Sequence, residues 1–116
     1  ISAYRNDRQD GTYDIRMDYV TCPTLENKIV IFTDPMLATG ASLDASMRMI
    51  KDYGTPKEVH LVTIIASEYA IEQVRRIYPN MKIWAGAIDE ELTAKSYIVP
   101  GLGDAGDLAF SEKLQY

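Results

Sequence analysis

One stretch of the chain concentrates residues suited to binding an anion: Asp34-Pro35-Met36-Leu37-Ala38-Thr39-Gly40-Ala41-Ser42. Its small residues let a backbone approach a phosphate closely. Its N–H groups, with the positive end of a helix opening directly after it, favour negative charge. Thr39 and Ser42 add hydroxyl donors, and Asp34 can accept hydrogen bonds from neighbouring ribose hydroxyls. The same residues also suit an ordinary strand–helix connection with a serine cap. A second stretch, Tyr97-Ile98-Val99-Pro100-Gly101-Leu102-Gly103-Asp104-Ala105-Gly106-Asp107, carries one proline and three glycines. It suits neither a helix nor a long strand. It can form a rigid irregular loop that turns N–H and C=O groups into a cleft, or a plain surface turn.

The elements that would position these stretches follow from hydrophobic periodicity. Tyr13, Ile15, Met17 and Tyr19 alternate with Asp14, Arg16 and Asp18, the period of a half-exposed strand. A polar Asn6–Gly11 segment ending in Asp-Gly precedes it, so residues 1–5 and 13–20 are expected to form a hairpin or flap. Ile29-Val30-Ile31-Phe32 reads as a strand buried on both faces that stops at Thr33-Asp34-Pro35. A helix with Leu43, Met47 and Ile50 on one face follows, ended by Gly54 and Pro56. Val59–Ile65 reads as a second buried strand. Ser67 is placed to cap a helix whose apolar face is Ala70, Ile71, Val74 and Ile77. Lys82–Ala87 is a third strand, with Trp84 expected in the core. Strand, helix, strand, helix, strand with right-handed crossovers predicts a parallel α/β sheet. Three strands are few for an open sheet. With Ile1 at the start and no leader pattern, the chain reads as cut from a longer one.

Composition narrows the functional classes. The 116 residues carry a net charge of −5, and the twelve Lys and Arg are scattered. That argues against a nucleic-acid face. No apolar run is long enough for a membrane span. Cys22 is the single cysteine, which excludes an internal disulfide and a multi-cysteine zinc site and fits a reducing cytoplasm. His60, inside an apolar strand, reads as a packed or edge residue. Asp89-Glu90-Glu91 reads as a solvated turn.

The four apolar residues before Asp34, together with Asp34-Pro35-Met36-Leu37-Ala38-Thr39-Gly40, closely resemble the motif by which uracil phosphoribosyltransferases bind phosphoribosyl pyrophosphate (PRPP). Tyr97–Asp107 resembles the uracil-binding loop of the same family, and Ala87–Leu92 resembles its approach to that loop. Ala3-Tyr4-Arg5-Asn6 resembles a segment whose arginine contacts pyrophosphate. The resemblance runs from Tyr4 to Asp107. It implies an α/β fold of phosphoribosyltransferase type I, a parallel sheet flanked by helices, with the amino-terminal part absent. Residues 1–116 would be the carboxy-terminal part of one domain: 1–20 a flap or hairpin, 28–88 the α/β core, 97–107 the uracil-binding loop.

The resemblance implies conversion of uracil and PRPP to UMP and diphosphate in pyrimidine salvage. PRPP would be bound by Arg5, Asp34, Pro35, Met36, Leu37, Ala38, Thr39, Gly40, Ala41, Ser42 and Asp104, and uracil by Tyr97, Ile98, Gly103, Asp104 and Ala105. Asp34 and Asp104 would be the catalytic carboxylates. Mg²⁺ would be carried mainly by PRPP, with no dedicated protein cage. A cytoplasmic homo-oligomer, dimer or tetramer, is implied, and the resemblance allows a nucleotide effector such as GTP to which no residue is assigned. A backbone array of N–H, C=O and N–H complements the O4, N3–H and O2 edge of uracil, and cytosine mismatches it. Two features depart from the family pattern: Ala41 stands where a second glycine is common, and Leu108-Ala109-Phe110 lacks a basic residue. A non-catalytic PRPP- or nucleotide-sensing regulator of the same fold is the rival reading, and a purine or orotate phosphoribosyltransferase a more distant one.

Overall fold

The structure, a computed structural model, describes residues 2–93 and 97–100. Its elements run β1 (Ser2–Asp7), β2 (Tyr13–Tyr19), β3 (Ile29–Leu37), α1 (Ala41–Ile50), a 3-10 turn (Lys51–Tyr53), β4 (Glu58–Ser67), α2 (Glu68–Ile77), β5 (Lys82–Asp89), β6 (Glu91–Leu92) and β7 (Ile98–Val99). This is the mixed α/β order that the periodicity predicts. Packing divides the chain into two compact units. One joins the described residues up to 30 with residues 41–59, and the other joins residues 31–40 with the described residues from 60 onward.

In the first unit β1 and β2 form the expected antiparallel hairpin, with Arg5 opposite Ile15 and Asn6 opposite Asp14. Its turn is built by side chains as well as backbone. Asp10 Oδ1 accepts from Thr12 N at 2.9 Å and from Thr12 Oγ1 at 2.6 Å. Those two bonds, the hydroxyl's first, hold the Asp10 carboxyl below its ordinary value. Arg8 Nε donates to Asp14 Oδ2 at 3.0 Å, and Gly11 takes the left-handed backbone the turn needs, φ 84°. Helix α1 lies against β2 and buries Leu43, Ser46 and Ile50, while Met47 is only half-buried. Ser46 fits the buried stripe because its hydroxyl donates back to the Ser42 carbonyl at 2.8 Å. The helix tightens into the 3-10 turn and stops at Gly54, φ 118°. There Leu25 N bonds Tyr53 O at 2.8 Å and Thr55 N bonds Glu26 Oε2 at 2.7 Å.

In the second unit the parallel sheet has strand order β3-β4-β5. In the β4–β5 register, Val62 is beside Trp84 and Ser67 beside Asp89. Along β4, Leu61, Thr63 and Ile65 are buried while Val62 and Ile64 are exposed. The expectation of strands buried on both faces is therefore corrected: β3 and β4 are covered on one alternation only. Trp84 is corrected with them. It is 59% exposed, and its Nε1 donates to His60 Nδ1 at 3.0 Å. In α2, Ala70, Ile71 and Val74 are buried, but Ile77, at the last turn, is exposed. Strands β6 and β7 pair antiparallel, Leu92 opposite Ile98, and Thr93 N bonds Tyr97 O at 2.8 Å to close the pair.

Candidate substrate-binding site

Strand β3 continues through Asp34, Pro35 and Met36 to Leu37, so the strand does not stop at Thr33 as the sequence suggested. Proline is tolerated because β3 is at the end of the strand order, where a missing N–H breaks no central ladder. Alternation half-buries Asp34 and Met36 and exposes Pro35. Asp34 Oδ1 accepts from Met36 N at 3.2 Å. Burial raises the Asp34 carboxyl above its ordinary value, and the Met36 N–H opposes that shift in part. Leu37 is fully buried and fixes the strand end.

The bend that follows is Ala38-Thr39-Gly40, and the next residue, Ala41, opens α1. Gly40 takes φ 82°, the left-handed conformation that only glycine adopts without strain. Ala41, which stands where a second glycine is common in the family, is helical, and the positive φ falls on Gly40. Ser42 lies in the exposed first turn of α1.

Ser67 holds the bend from below. It is fully buried, its Oγ accepts from Ala70 N at 3.0 Å as the cap of α2, and its Oγ–H donates to the Ala38 carbonyl at 2.5 Å. One hydroxyl thus ties the tip of β4, the start of α2 and the bend together. The cap was legible in the sequence. The bond to Ala38 was not, because it joins residues far apart in the chain. Asp89, beside Ser67 across the sheet, is another residue that sequence reasoning placed differently. It ends β5 half-buried, and its Oδ2 is buried with no hydrogen-bond partner among the described residues.

Of the residues expected to meet uracil, Ile98 is completely buried in β7. Tyr97 is half-buried, and its N–H donates to Thr93 Oγ1 at 3.1 Å. Gly103, Asp104 and Ala105 lie outside the described residues. The backbone of Arg5 is in β1; its side chain lies outside what is described. Among the described residues no group of three or more His, Cys, Asp or Glu is gathered as a metal site. Asp34 on β3 and Asp89 on β5, separated by β4, each offer a hard carboxylate oxygen of the kind that binds Mg²⁺ alongside ligand phosphates.

Known proteins resemble this chain over nearly its whole length. A family model described as uracil phosphoribosyltransferase matches residues 6–111. A uracil phosphoribosyltransferase of Porphyromonas gingivalis is 45% identical over 115 residues, 98% of this chain and 53% of that protein. One from Pyrococcus furiosus is 40% identical over 116 residues, 99% of this chain and 49% of that protein. Among solved structures, the AQ2163 protein from Aquifex aeolicus superposes with a TM-score of 0.80 at 32% identity, over 97% of this chain and 53% of that one. The chain spans about half the length of the curated relatives it matches. With the Asp34–Gly40 bend at the end of a parallel strand and nearly every residue aligned, the chain belongs to the uracil phosphoribosyltransferase family.

Proposed function

We propose that the full-length protein to which these residues belong transfers the phosphoribosyl group of PRPP to N1 of uracil, giving UMP and diphosphate. The observation that carries this reading is the bend after β3: a glycine with φ 82°, anchored through Ser67, in a chain that the family model matches from residue 6 to 111. Main-chain N–H groups of Thr39 to Ser42 hold the 5-phosphate, aided by the hydroxyls of Thr39 and Ser42. Asp34 accepts from the ribose hydroxyls. Arg5 pairs with the departing diphosphate through its forked guanidinium. The main chain at Ile98 and at Gly103 to Ala105 reads the uracil edge, while Tyr97 lies beside it. Asp104 is next to PRPP or its metal and influences loss of the N1 proton.

The scissile C1–O bond breaks as the N1–C1 bond forms, and C1 gains positive character between them. Mg²⁺, when bound with PRPP, supplies charge neutralisation to the diphosphate. The protein contributes position and exclusion of water. Asp34 stays ionised by accepting hydroxyl donors that offset its burial. The protein works in the cytoplasm as a homo-oligomer, without nucleic-acid or membrane partners. Among the described residues no helix is long and apolar enough to cross a membrane.

The test is UMP formation by the full-length protein from Mg²⁺, PRPP and labelled uracil, with cytosine and orotate as controls. UMP from uracil alone, lost in Asp34→Ala and Asp104→Ala, is expected. A folded protein that binds PRPP and makes no UMP sinks the proposal.

A further inference from the structure

Asp89 has a bonding need that its surroundings leave unmet. It closes β5 and lies on the same alternation as Ser67, its register partner at the tip of β4. Its Oδ2 is buried and accepts no hydrogen bond among the described residues, whereas the next residue, Glu90, is exposed. The neighbouring hydroxyl is already committed, because Ser67 Oγ–H donates to the Ala38 carbonyl. Arg8 pairs with Asp14 and Arg48 with Asp44, which leaves neither guanidinium for Asp89. A buried carboxylate is normally paired, hydrogen-bonded or bound to a metal.

The position of Asp89 indicates what is missing. In open α/β sheets ligands sit beyond the carboxyl ends of the strands, and this end also carries the Ala38–Gly40 bend assigned to the phosphate. A bare carboxylate there repels a phosphorylated ligand, and a divalent cation between the two turns repulsion into attraction. Mg²⁺ suits the place, since it is commonly held by one or two carboxylates together with substrate phosphates. Asp34 is not placed to share that ion. The strand β4 separates β3 from β5 by two strand spacings, about 10 Å, and side chains stand nearly perpendicular to a sheet. An ion with oxygens at about 2.1 Å spans only about 4 Å.

We propose that Asp89 is a direct ligand of the divalent cation that enters with the phosphorylated sugar. Within the phosphoribosyl-transfer reading given above, the two carboxylates divide the ligand. Asp34 takes ribose hydroxyls, and Asp89 takes the cation that the ligand's phosphates carry. The buried Oδ2 gains its missing partner only when that complex binds.

Calorimetric binding of PRPP to the full-length protein, without uracil, in saturating Mg²⁺ and again in EDTA, tests this. In Mg²⁺, Asp89→Asn should raise the Kd for PRPP by about tenfold or more, since even the outer partners of a metal site are worth that much. In EDTA the same variant should bind PRPP as well as the parent or better, because a like charge has been removed. Asp34→Asn should weaken PRPP under both conditions. Mn²⁺ gives a second readout: the enhancement of water-proton relaxation on adding PRPP and Mn²⁺ to the parent protein should fall in Asp89→Asn. Asp89→Asn should not lower the thermal midpoint, and Asp89→Ser should give the same pattern of binding. An unchanged Kd in Mg²⁺ overturns the proposal. Equal weakening in Mg²⁺ and EDTA overturns it in favour of a structural role. A folded parent protein that binds no PRPP overturns it together with the phosphoribosyl-transfer reading. Binding of PRPP that depends on Asp89 only in Mg²⁺, with no UMP formed when uracil is added, supports it and sinks that reading alone.

Discussion

Ser67 is the residue whose replacement should report on the bend and the core together. Ser67→Ala removes the cap of α2, worth about 1 kcal/mol. It also removes the donor to the Ala38 carbonyl, which is half-buried, so the loss belongs near the lower end of the range for an unpaired group, about 1 kcal/mol. The sum is about 2 kcal/mol. With a urea dependence of about 1.3 kcal/mol per molar, the unfolding midpoint should fall by about 1.5 M. Trp84, the single tryptophan of these residues, provides the fluorescence signal, and circular dichroism provides a second one. Ser67→Gly separates the two contributions. Glycine retains most of a cap's value, so this variant should lose chiefly the Ala38 bond, about 1 kcal/mol. In the assay of UMP formation, Ser67→Ala should raise the KM for PRPP more than the KM for uracil, because the anchored bend is the proposed phosphate-binding element. A stability loss below about 0.5 kcal/mol for Ser67→Ala would refute the two-bond accounting. A full loss of stability with an unchanged KM for PRPP would reduce Ser67 to a helix cap.

Other outcomes follow from the same geometry. Gly40→Ala should destabilise by about 1–2 kcal/mol through its left-handed φ alone, since the added Cβ meets Val74 Cγ2 at an ordinary 3.7 Å; Gly40→Asn should do less damage in thermal unfolding. Gly86→Ala should destabilise by about 1–3 kcal/mol for a different reason, because its Cβ would lie 2.7 Å from the Ile64 carbonyl oxygen in the neighbouring strand. Asp34→Asn should abolish UMP formation yet stabilise the unliganded protein at neutral pH. The folded state raises the Asp34 carboxyl above its unfolded value, so its contribution is fully present below the unfolded pKa and is lost as pH rises through the folded one. The gain from Asp34→Asn, measured as the difference in thermal midpoint, should therefore shrink toward zero as the pH falls below the ordinary aspartate range. A gain that grows on acidification reverses the assigned sign.

The sequence made the order of elements readable because period-two and helical patterns are local, and the caps at Ser67 and Gly54 are local as well. The bend was readable for another reason: Asp34-Pro35-Met36-Leu37-Ala38-Thr39-Gly40 is a long, specific string. What could not be read depends on neighbours distant in the chain. A run such as Ile29–Phe32 or Val59–Ile65 announces apolar faces without saying what covers them, so Trp84, Ile64 and Ile31 were assigned to a core that these residues do not complete. The strand limit was misplaced at Pro35 because proline usually ends a strand; at the end of the strand order it need not. The Ser67–Ala38 bond and the unpartnered Asp89 oxygen arise where the tips of β3, β4 and β5 come to the same end of the sheet, a three-dimensional relation with no local signature.

These two carboxylates show how a site can be prepared at a cost in the empty protein. Asp34 is half-buried with one backbone donor, which is less than an ionised carboxylate accepts in water. Asp89 buries an oxygen with no donor among the described residues. A well-packed protein evolved for stability alone would remove both, since an uncompensated polar oxygen costs about 1–3 kcal/mol. Under the proposed function, a hydroxyl-rich, cation-carrying ligand would reverse that balance by supplying the missing donors and positive charge. The same interaction that strengthens binding then lowers the Asp34 carboxyl toward its ordinary value. If Asp34 takes the ribose hydroxyls as proposed, ligand binding and the Asp34 proton equilibrium are linked, and binding should tighten as the pH rises through the Asp34 titration.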